Sequence, residues 1–416
     1  MPSFNSKDIE ILAPVGSWES LSAAIQAGAD AVYFGAGKLN MRSRSAAAFS
    51  LEDIPKIVAI AAGMRTYLTL NVVIFDEDME AMRELADKAK QAGVSALIVS
   101  DIAAMEYAHS IGMEVHLSTQ ANVSNTEALR YFARWADTLV LARELSLEQV
   151  RKISRAIQEQ DIRGPSGRLV CIEFFAHGAL CMATSGKCYL SLHQHGASAN
   201  RGECLQTCRR SYTLTDTSDG SEIVREEDYF LSPKDLKTIG FLDQILEAGV
   251  TSLKIEGRSR SAEYVKTTVQ CYREAVDAIS SGNFTKEKVD TWDTRLGEVF
   301  NRGFWDGWYL GQKLGERTAS YGSKSTKHKV FLGRCSNYFT KLGVAEFYLE
   351  AGSLDSGHEV LISGPTTGVV NMCAENIHID KAAVESAAQG LVCSFKVPEL
   401  VRRGDSLFRM DVREIR

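Results

Sequence analysis

Between residues 9 and 258, short apolar β-branched runs alternate with stretches whose apolar positions recur at helical spacing, the pattern of parallel βαβ units. Strands are predicted at 9–13, 31–34, 67–73, 96–100, 114–118, 138–142, 170–175 and 252–256. Helices are predicted at 17–27, 51–62, 78–91, 102–111, 126–135, 146–157, 232–248 and 262–280, most of them opened by a polar cap. One junction recurs, as Q-A-G-A-D-A-V-Y from Gln26, Q-A-G-V-S-A-L-I from Gln91 and E-A-G-V-T-S-L-K from Glu247, each ending a helix at glycine just before an apolar strand. Eight strands with a helix between neighbours predict an α/β fold, a (β/α)8 TIM-like barrel, with an open doubly wound sheet as the alternative. After strand seven the usual short loop is replaced by an insertion of about 181–231, and long loops in compact domains usually serve function. A small polar stretch at 318–327 reads as a linker. Beyond it the period changes to short strands at 330–334, 344–349, 359–362, 368–373, 391–395 and 406–409. Residues 1–317 are therefore assigned to the barrel, its insertion and trailing helices, and 328–416 to a C-terminal all-β barrel domain.

A barrel of this kind does its chemistry where strands hand over to the following loops. Polar candidates cluster there: Asn40 and Arg42 after the second strand, Gln120 and Asn122 after the fifth, and Arg143 after the sixth. Glu173 and His177 accompany the seventh, and Lys254, Glu256 and Arg258 lie in or after the eighth. The insertion concentrates four of the nine cysteines, Cys181, Cys188, Cys204 and Cys208, as C-x6-C-x15-C-x3-C. No apolar run reaches membrane-spanning length and the N-terminus M-P-S-F-N-S-K-D lacks signal-peptide character, so a cytoplasmic protein without membrane contact is expected. In that compartment thiols stay reduced, which favours metal ligation over disulfides. The spacing leaves an iron–sulfur cluster, zinc and a chance gathering of thiols all open. A formal net charge of −6 argues against a broad nucleic-acid surface, yet Lys187, Arg201, Arg209 and Arg210 are opposed only by Glu203 within the cysteine segment, a local basic patch.

The string E-F-F-A-H-G-A-L-C-M-A-T-S-G-K-C-Y-L-S closely resembles the signature of the collagenase-like peptidase family, which includes the prephenate-dependent tRNA uridine hydroxylation proteins. E-I-L-A-P-V-G-S-W-E-S-L, H-L-S-T-Q-A-N, L-A-R-E-L-S-L-E and S-L-K-I-E-G-R carry the resemblance through the barrel, and C-L-Q-T-C-R-R-S-Y is similar to the tRNA-modifying branch. The resemblance implies a [4Fe-4S] cluster on Cys181, Cys188, Cys204 and Cys208, acting with prephenate as co-substrate in oxygen-independent 5-hydroxylation of the wobble uridine of tRNA. Within that reading Glu173, His177 and Glu256 are candidates for proton handling. Arg42, Arg143 and Arg258 suit the prephenate carboxylates, with Asn40, Gln120, Asn122 and Lys254 as further substrate contacts. Lys187, Arg201, Arg209 and Arg210 would meet the phosphates of the anticodon loop, with Tyr189 or Tyr212 for base stacking. A homologous partner subunit is left open. The family's peptidase name has thin support: H-E-x-x-H is missing, and Cys181 with His177 is the pair a cysteine protease would use. Hydroxylation of another RNA and a structural-metal RNA-binding subunit are the remaining alternatives.

Overall fold

The structure, a computed structural model, describes residues 5–44, 49–222 and 229–413. Both chain ends and part of the predicted insertion, 223–228, lie outside the described residues. Seven strands come first in order: β1 Glu10–Pro14, β2 Ala31–Phe34, β3 Arg65–Leu70, β4 Ala96–Val99, β5 Glu114–Leu117, β6 Thr138–Val140 and β7 Cys171–Gly178. Short β8 (Asp235–Lys237) then precedes β9 (Ser252–Ile255). Parallel pairing runs from β1 through β7, from β7 to β9, and from β9 back to β1, so the predicted eight-stranded barrel is closed.

The helices between strands are α1 Trp18–Gln26, α2 Ile54–Ile60, α3 Met79–Ala92, α4 Ile102–Ser110, α5 Thr126–Phe132 and α6 Leu147–Glu159. Their apolar stripes and the outward strand residues share one core, with Leu21, Ile57, Met82, Leu129 and Val150 fully buried against it. Side-chain caps at Ser17, Asp101, Asn125 and Ser146 start four of them where the sequence places polar residues. At the recurrent junction Gly28, Gly93 and Gly249 all take positive φ, which is why the same residue type returns there.

Within the barrel one predicted helix differs in kind. The stretch 232–248 divides into β8, a 3-10 turn at Ile239–Phe241 and the short helix α8 (Leu242–Glu247), which follows the insertion helix α7 (Leu190–His195). The reason is tertiary. β7 overruns the barrel, and its last residues pair antiparallel with β8, His177 opposite Lys237 and Gly178 opposite Leu236. Backbone groups that leave a sheet need partners, and that demand overrides the local helical period. After β9 come α9 (Ala262–Ser280), α10 (Lys286–Glu298) and β10 (Phe304–Trp305), which pairs with β8.

The C-terminal all-β unit begins with β11 (Lys327–Phe339), β12 (Val344–Leu349), β13 (Ser353–Asp355), β14 (Glu359–Gly364) and β15 (Gly368–Cys373). It ends with β16 (His378–Ile379), β17 (Ala382–Ala383), β18 (Ser386–Ala388), β19 (Val392–Lys396) and β20 (Ser406–Val412). Eight of these strands form one antiparallel sheet around Leu332, Phe347, Phe395 and Leu407, a core separate from the barrel's. Cys335 and Cys393 belong to that core. The unit sits on α1 and α9, where Ala23 and Ala262 meet Leu361 and Val369. None of its described residues lines the cavity at the barrel mouth. Among the described residues no helix is long and apolar enough to cross a membrane.

Candidate active site

The segment that follows β7 folds back over the barrel mouth because it is fastened at several points. At Gly178, φ is +106°, and a Cβ there would stand 2.3 Å from the Glu256 carbonyl oxygen, so only glycine lets the chain leave β7 against β9. Gly202 passes equally close to the Asn40 carbonyl, and Ser43 Oγ donates to Gly202 O at 3.1 Å. Asn122 Nδ2 donates to Ser185 O at 2.9 Å, and Arg201 pairs with Asp78 while its Nη1 donates to Val73 O at 2.8 Å. The Arg209 guanidinium holds the base of the segment through Leu180 O (2.6 Å), Pro233 O (2.7 Å) and Ser232 Oγ (2.9 Å).

This folding brings Cys181, Cys188, Cys204 and Cys208 onto the wall of one cavity of about 470 Å³ at the C-terminal ends of the barrel strands. All four are free thiols; Cys181 is exposed and the other three are half-buried. Burial raises the Cys208 thiol above its ordinary range, Arg209 opposes this, and the other three thiols add to it. The four therefore share one electrostatic neighbourhood. They do not pinch to a point: among the described residues no three Cys, His, Asp or Glu side chains converge as ligands of a single ion. Four cysteines on one cavity wall are a donor set of the kind that holds zinc or an iron–sulfur cluster.

The rest of the cavity is charged. Arg42 pairs with Glu256 at 3.3 Å, and Tyr33 Oη donates to the same carboxylate at 3.3 Å. Burial works against ionised Glu256, but Arg42, Arg143 and Arg258 outweigh it and keep the carboxyl below its usual range. Burial likewise opposes the charge on Arg42, and Glu256, Cys181 and Cys204 more than restore it. Arg143 lies 3.8 Å over the Phe175 ring and donates to Ala179 O at 3.2 Å, leaving its buried Nε without a hydrogen-bond partner. Arg258 is 5 % exposed, and burial pushes its guanidinium below the ordinary range. It donates to Asn40 Oδ1 (3.1 Å) and Thr69 Oγ1 (2.8 Å). Three guanidinium groups against one carboxylate make a cavity ready for an anion.

Arg42, Gln120, Arg143, Lys254, Glu256, Arg258 and Lys187 all line this cavity with the cysteines. Asn40, Asn122 and Glu173 stand behind it: Asn40 holds Arg258, Asn122 holds the cysteine segment, and fully buried Glu173 pairs with Lys254. His177, the other proton-handling candidate, is not brought to the cavity wall. β7 is bulged between Phe175 and His177, which turns the imidazole out of the barrel into a pocket of Tyr264, Tyr272 and Phe304. There burial, reinforced by Lys237 and Arg260, lowers its pKa to about 3. Arg201 and Arg209 also differ from the expectation of phosphate contacts, because both spend their donors on the protein as described; Lys187 and Arg210 are exposed. Of the two stacking candidates, Tyr189 is 66 % exposed, whereas Tyr212 Oη is bound to Thr207 O at 2.8 Å.

Sequence reasoning missed Tyr33, Tyr67, His116 and Ser118, which sit in or beneath the cavity. The signal was present. Glu114, His116 and Ser118 alternate along β5, and Tyr67 and Thr69 along β3, a period-two series of polar groups pointing inward.

A family model described as peptidase family U32 matches residues 16–319. The chain is 55 % identical, over 99 % of its length and all of the other protein, to a protein named collagenase from Porphyromonas gingivalis. It is 40 % identical to the 23S rRNA 5-hydroxycytidine C2501 synthase of Escherichia coli, over 98 % of this chain and 56 % of that one. It is 36 % identical to tRNA hydroxylation protein P1 of Bacillus subtilis, over 80 % of this chain and 78 % of that one.

Proposed function

The chain belongs to peptidase family U32, and from that premise we propose that it is an RNA-modifying enzyme that hydroxylates C5 of a pyrimidine, foremost the wobble uridine of tRNA. The observation that carries this reading is the gathering of four free thiols and three arginines around one cavity at the barrel mouth. The family contains relatives named for hydroxylating tRNA and rRNA as well as relatives named collagenase. For a protease the sequence offers Cys181 with His177, and His177 is enclosed by aromatic rings behind the cavity wall.

Replacing the C5 hydrogen of uridine by hydroxyl is a two-electron oxidation that no side chain of the cavity can accept. A [4Fe-4S] cluster on Cys181, Cys188, Cys204 and Cys208 would supply one-electron redox chemistry when bound, passing the two electrons in turn to a co-substrate that is reduced as the uridine is oxidised. The four cysteines on the wall of one cavity match such a group in number and in ligand chemistry. Arg42, Arg143 and Arg258 bind and orient a small dicarboxylate such as prephenate, and Arg143, with its unpartnered Nε, has a donor to give. Glu256, held ionised by those arginines, fixes Arg42 and the Tyr33 hydroxyl in place. Exposed Lys187 and Arg210 take phosphates, and Tyr189 stacks a splayed base.

The test is nucleoside mass spectrometry of tRNA and rRNA from a strain lacking the gene, complemented with the wild-type chain or with Cys204→Ala. Loss of 5-hydroxylated pyrimidine in the deletion, restored by wild type alone, is expected, together with brown anaerobically purified protein containing iron and sulfide. An unchanged nucleoside profile, with wild-type protein that cleaves denatured collagen and loses this with Cys181→Ala, would overturn the proposal in favour of the peptidase reading.

A further inference from the structure

Most (β/α)8 barrels fill their interior with layers of valine, isoleucine and leucine. Here an ionic set shares the barrel interior with the apolar cluster of Leu12, Ala31, Ala96 and Ile98. Glu173 is fully buried and pairs with Lys254. On its other side Glu173 Oε2 faces His116 Nδ1 at 3.8 Å, and neither atom has another hydrogen-bond partner. His116 Nε2 meets Glu114 Oε1 at 3.2 Å, and Glu114 also takes Arg65 at 2.6 Å and Arg168 at 3.6 Å. Tyr67 covers the imidazole with ring centroids 4.3 Å apart and donates to Glu10 at 2.5 Å.

These groups form a line with two wet ends. Lys254 lines the cavity at the C-terminal ends of the strands, whereas Glu114 opens β5 at the opposite end of the barrel, with its side chain 23 % exposed. Two orphaned atoms facing each other require one proton between them, borne by the imidazole or by the carboxyl. Buried ion sets of this kind often stabilise a fold no better than apolar packing of the same volume does.

We propose that Glu114, His116 and Glu173 form a proton relay along the barrel axis that serves Lys254, the general acid–base group of the cavity, from the opposite face of the barrel. The inference rests on the hydroxylation reading only for the identity of the substrate. Lys254 gives an Nζ proton to an oxygen of the bound substrate, breaking N–H and forming O–H. The proton between His116 and Glu173 moves onto Glu173 and, as the carboxyl turns, to Lys254. His116 regains a proton from water across Glu114, which orients the ring. One proton enters at the floor for each one delivered at the cavity, and no electrons cross the relay; run backwards, the same path drains a proton while RNA covers the mouth. Burial works against a charged His116, but Glu114, Glu173 and Glu10 outweigh it and raise its pKa, which suits a group that stores the travelling proton. Lys254, Glu114, His116 and Glu173 have the roles of one catalytic and three positioning residues.

The experiment uses the full chain and four proteins: wild type, Glu114→Gln, His116→Gly and Lys254→Arg. Single-turnover RNA hydroxylation is followed across a pH series, with RNA affinity measured beside it. The relay predicts a fall of roughly a hundredfold for each variant at unchanged RNA affinity. The loss in Glu114→Gln deepens as pH rises, and His116→Gly recovers when imidazole is added. A Glu114→Gln protein that keeps the wild-type rate at every pH, or a folded His116→Gly protein that imidazole does not rescue, overturns it. If wild type hydroxylates no RNA, the functional reading fails, and nitrogen-15 NMR of His116 in the RNA-free chain still judges the relay. A His116 that titrates higher than a free imidazole and loses that elevation in Glu114→Gln upholds it, and a His116 that titrates no higher than a free imidazole, and is unmoved in Glu114→Gln, overturns it.

Discussion

His177 and His116 are one sequence letter with two fates, decided by which way β7 and β5 turn them. His116 points into the ionic barrel interior, whereas His177 points into an aromatic pocket against α9 with Tyr272 Oη 3.4 Å from Nδ1. A thermodynamic consequence follows for His177. Its folded pKa is about 3, below the unfolded value of about 6.5, so the unfolded chain takes up a proton first as pH falls. The stability it supports is complete above about pH 6.5 and is eroded as pH falls toward 3, at up to ~1.4 kcal/mol per pH unit. His177→Phe should remove that part of the acid sensitivity. Urea midpoints at pH 7 and pH 5 check this: the wild-type midpoint drops more than the variant's, and equal drops would mean that the buried ring accepts a proton.

At the level of elements, the decisive one is the end of β7. Gly178→Ala would drive a Cβ onto the Glu256 carbonyl in a backbone conformation that alanine resists, costing roughly 1–3 kcal/mol. The expected result is a lower denaturation midpoint and faster reaction of Cys181 with a thiol reagent, because the departing chain no longer lies against β9. Unaltered thiol kinetics would show that the segment is held from elsewhere. The eight barrel strands were legible in the sequence because each is a short apolar run followed by amphipathic spacing, and the αβ junction repeats. The cysteine segment was legible from its composition and its position after strand seven. What was hidden depended on contacts distant in sequence: β8 reads as helix until β7 offers it a partner, and the bulge that turns His177 away has no local signature. The basic residues were visible as charges, but Asp78 and the Leu180 carbonyl, which claim Arg201 and Arg209, cannot be seen from spacing.

Across the whole molecule, two separate cores meet along α1 and α9, and polar contacts such as Ser22 to Pro365 O, Lys266 to Val369 O and Lys329 to Glu263 join them. Gln26 is the most committed of these. Its Nε2 donates to Thr367 O at 2.7 Å and its Oε1 accepts from Val369 N at 3.0 Å, so its side chain extends the edge of the β-unit's sheet. Gln26→Ala should cost about 1–3 kcal/mol through those unpaired backbone groups. Because the junction lies outside the cavity, RNA modification by the folded variant should match wild type; a calorimetric midpoint together with the nucleoside assay separates the two effects. The closure of the barrel carries one more implication. β7 pairs directly with β9, so the ring of strands is complete without help from the chain between them, and that chain contributes the thiols and the exposed basic and aromatic groups of the mouth. The ring and the exposed rim of the mouth thus answer to different constraints: substitutions at exposed positions such as Lys187 or Tyr189 change what meets the mouth without touching the pairing of β7 with β9.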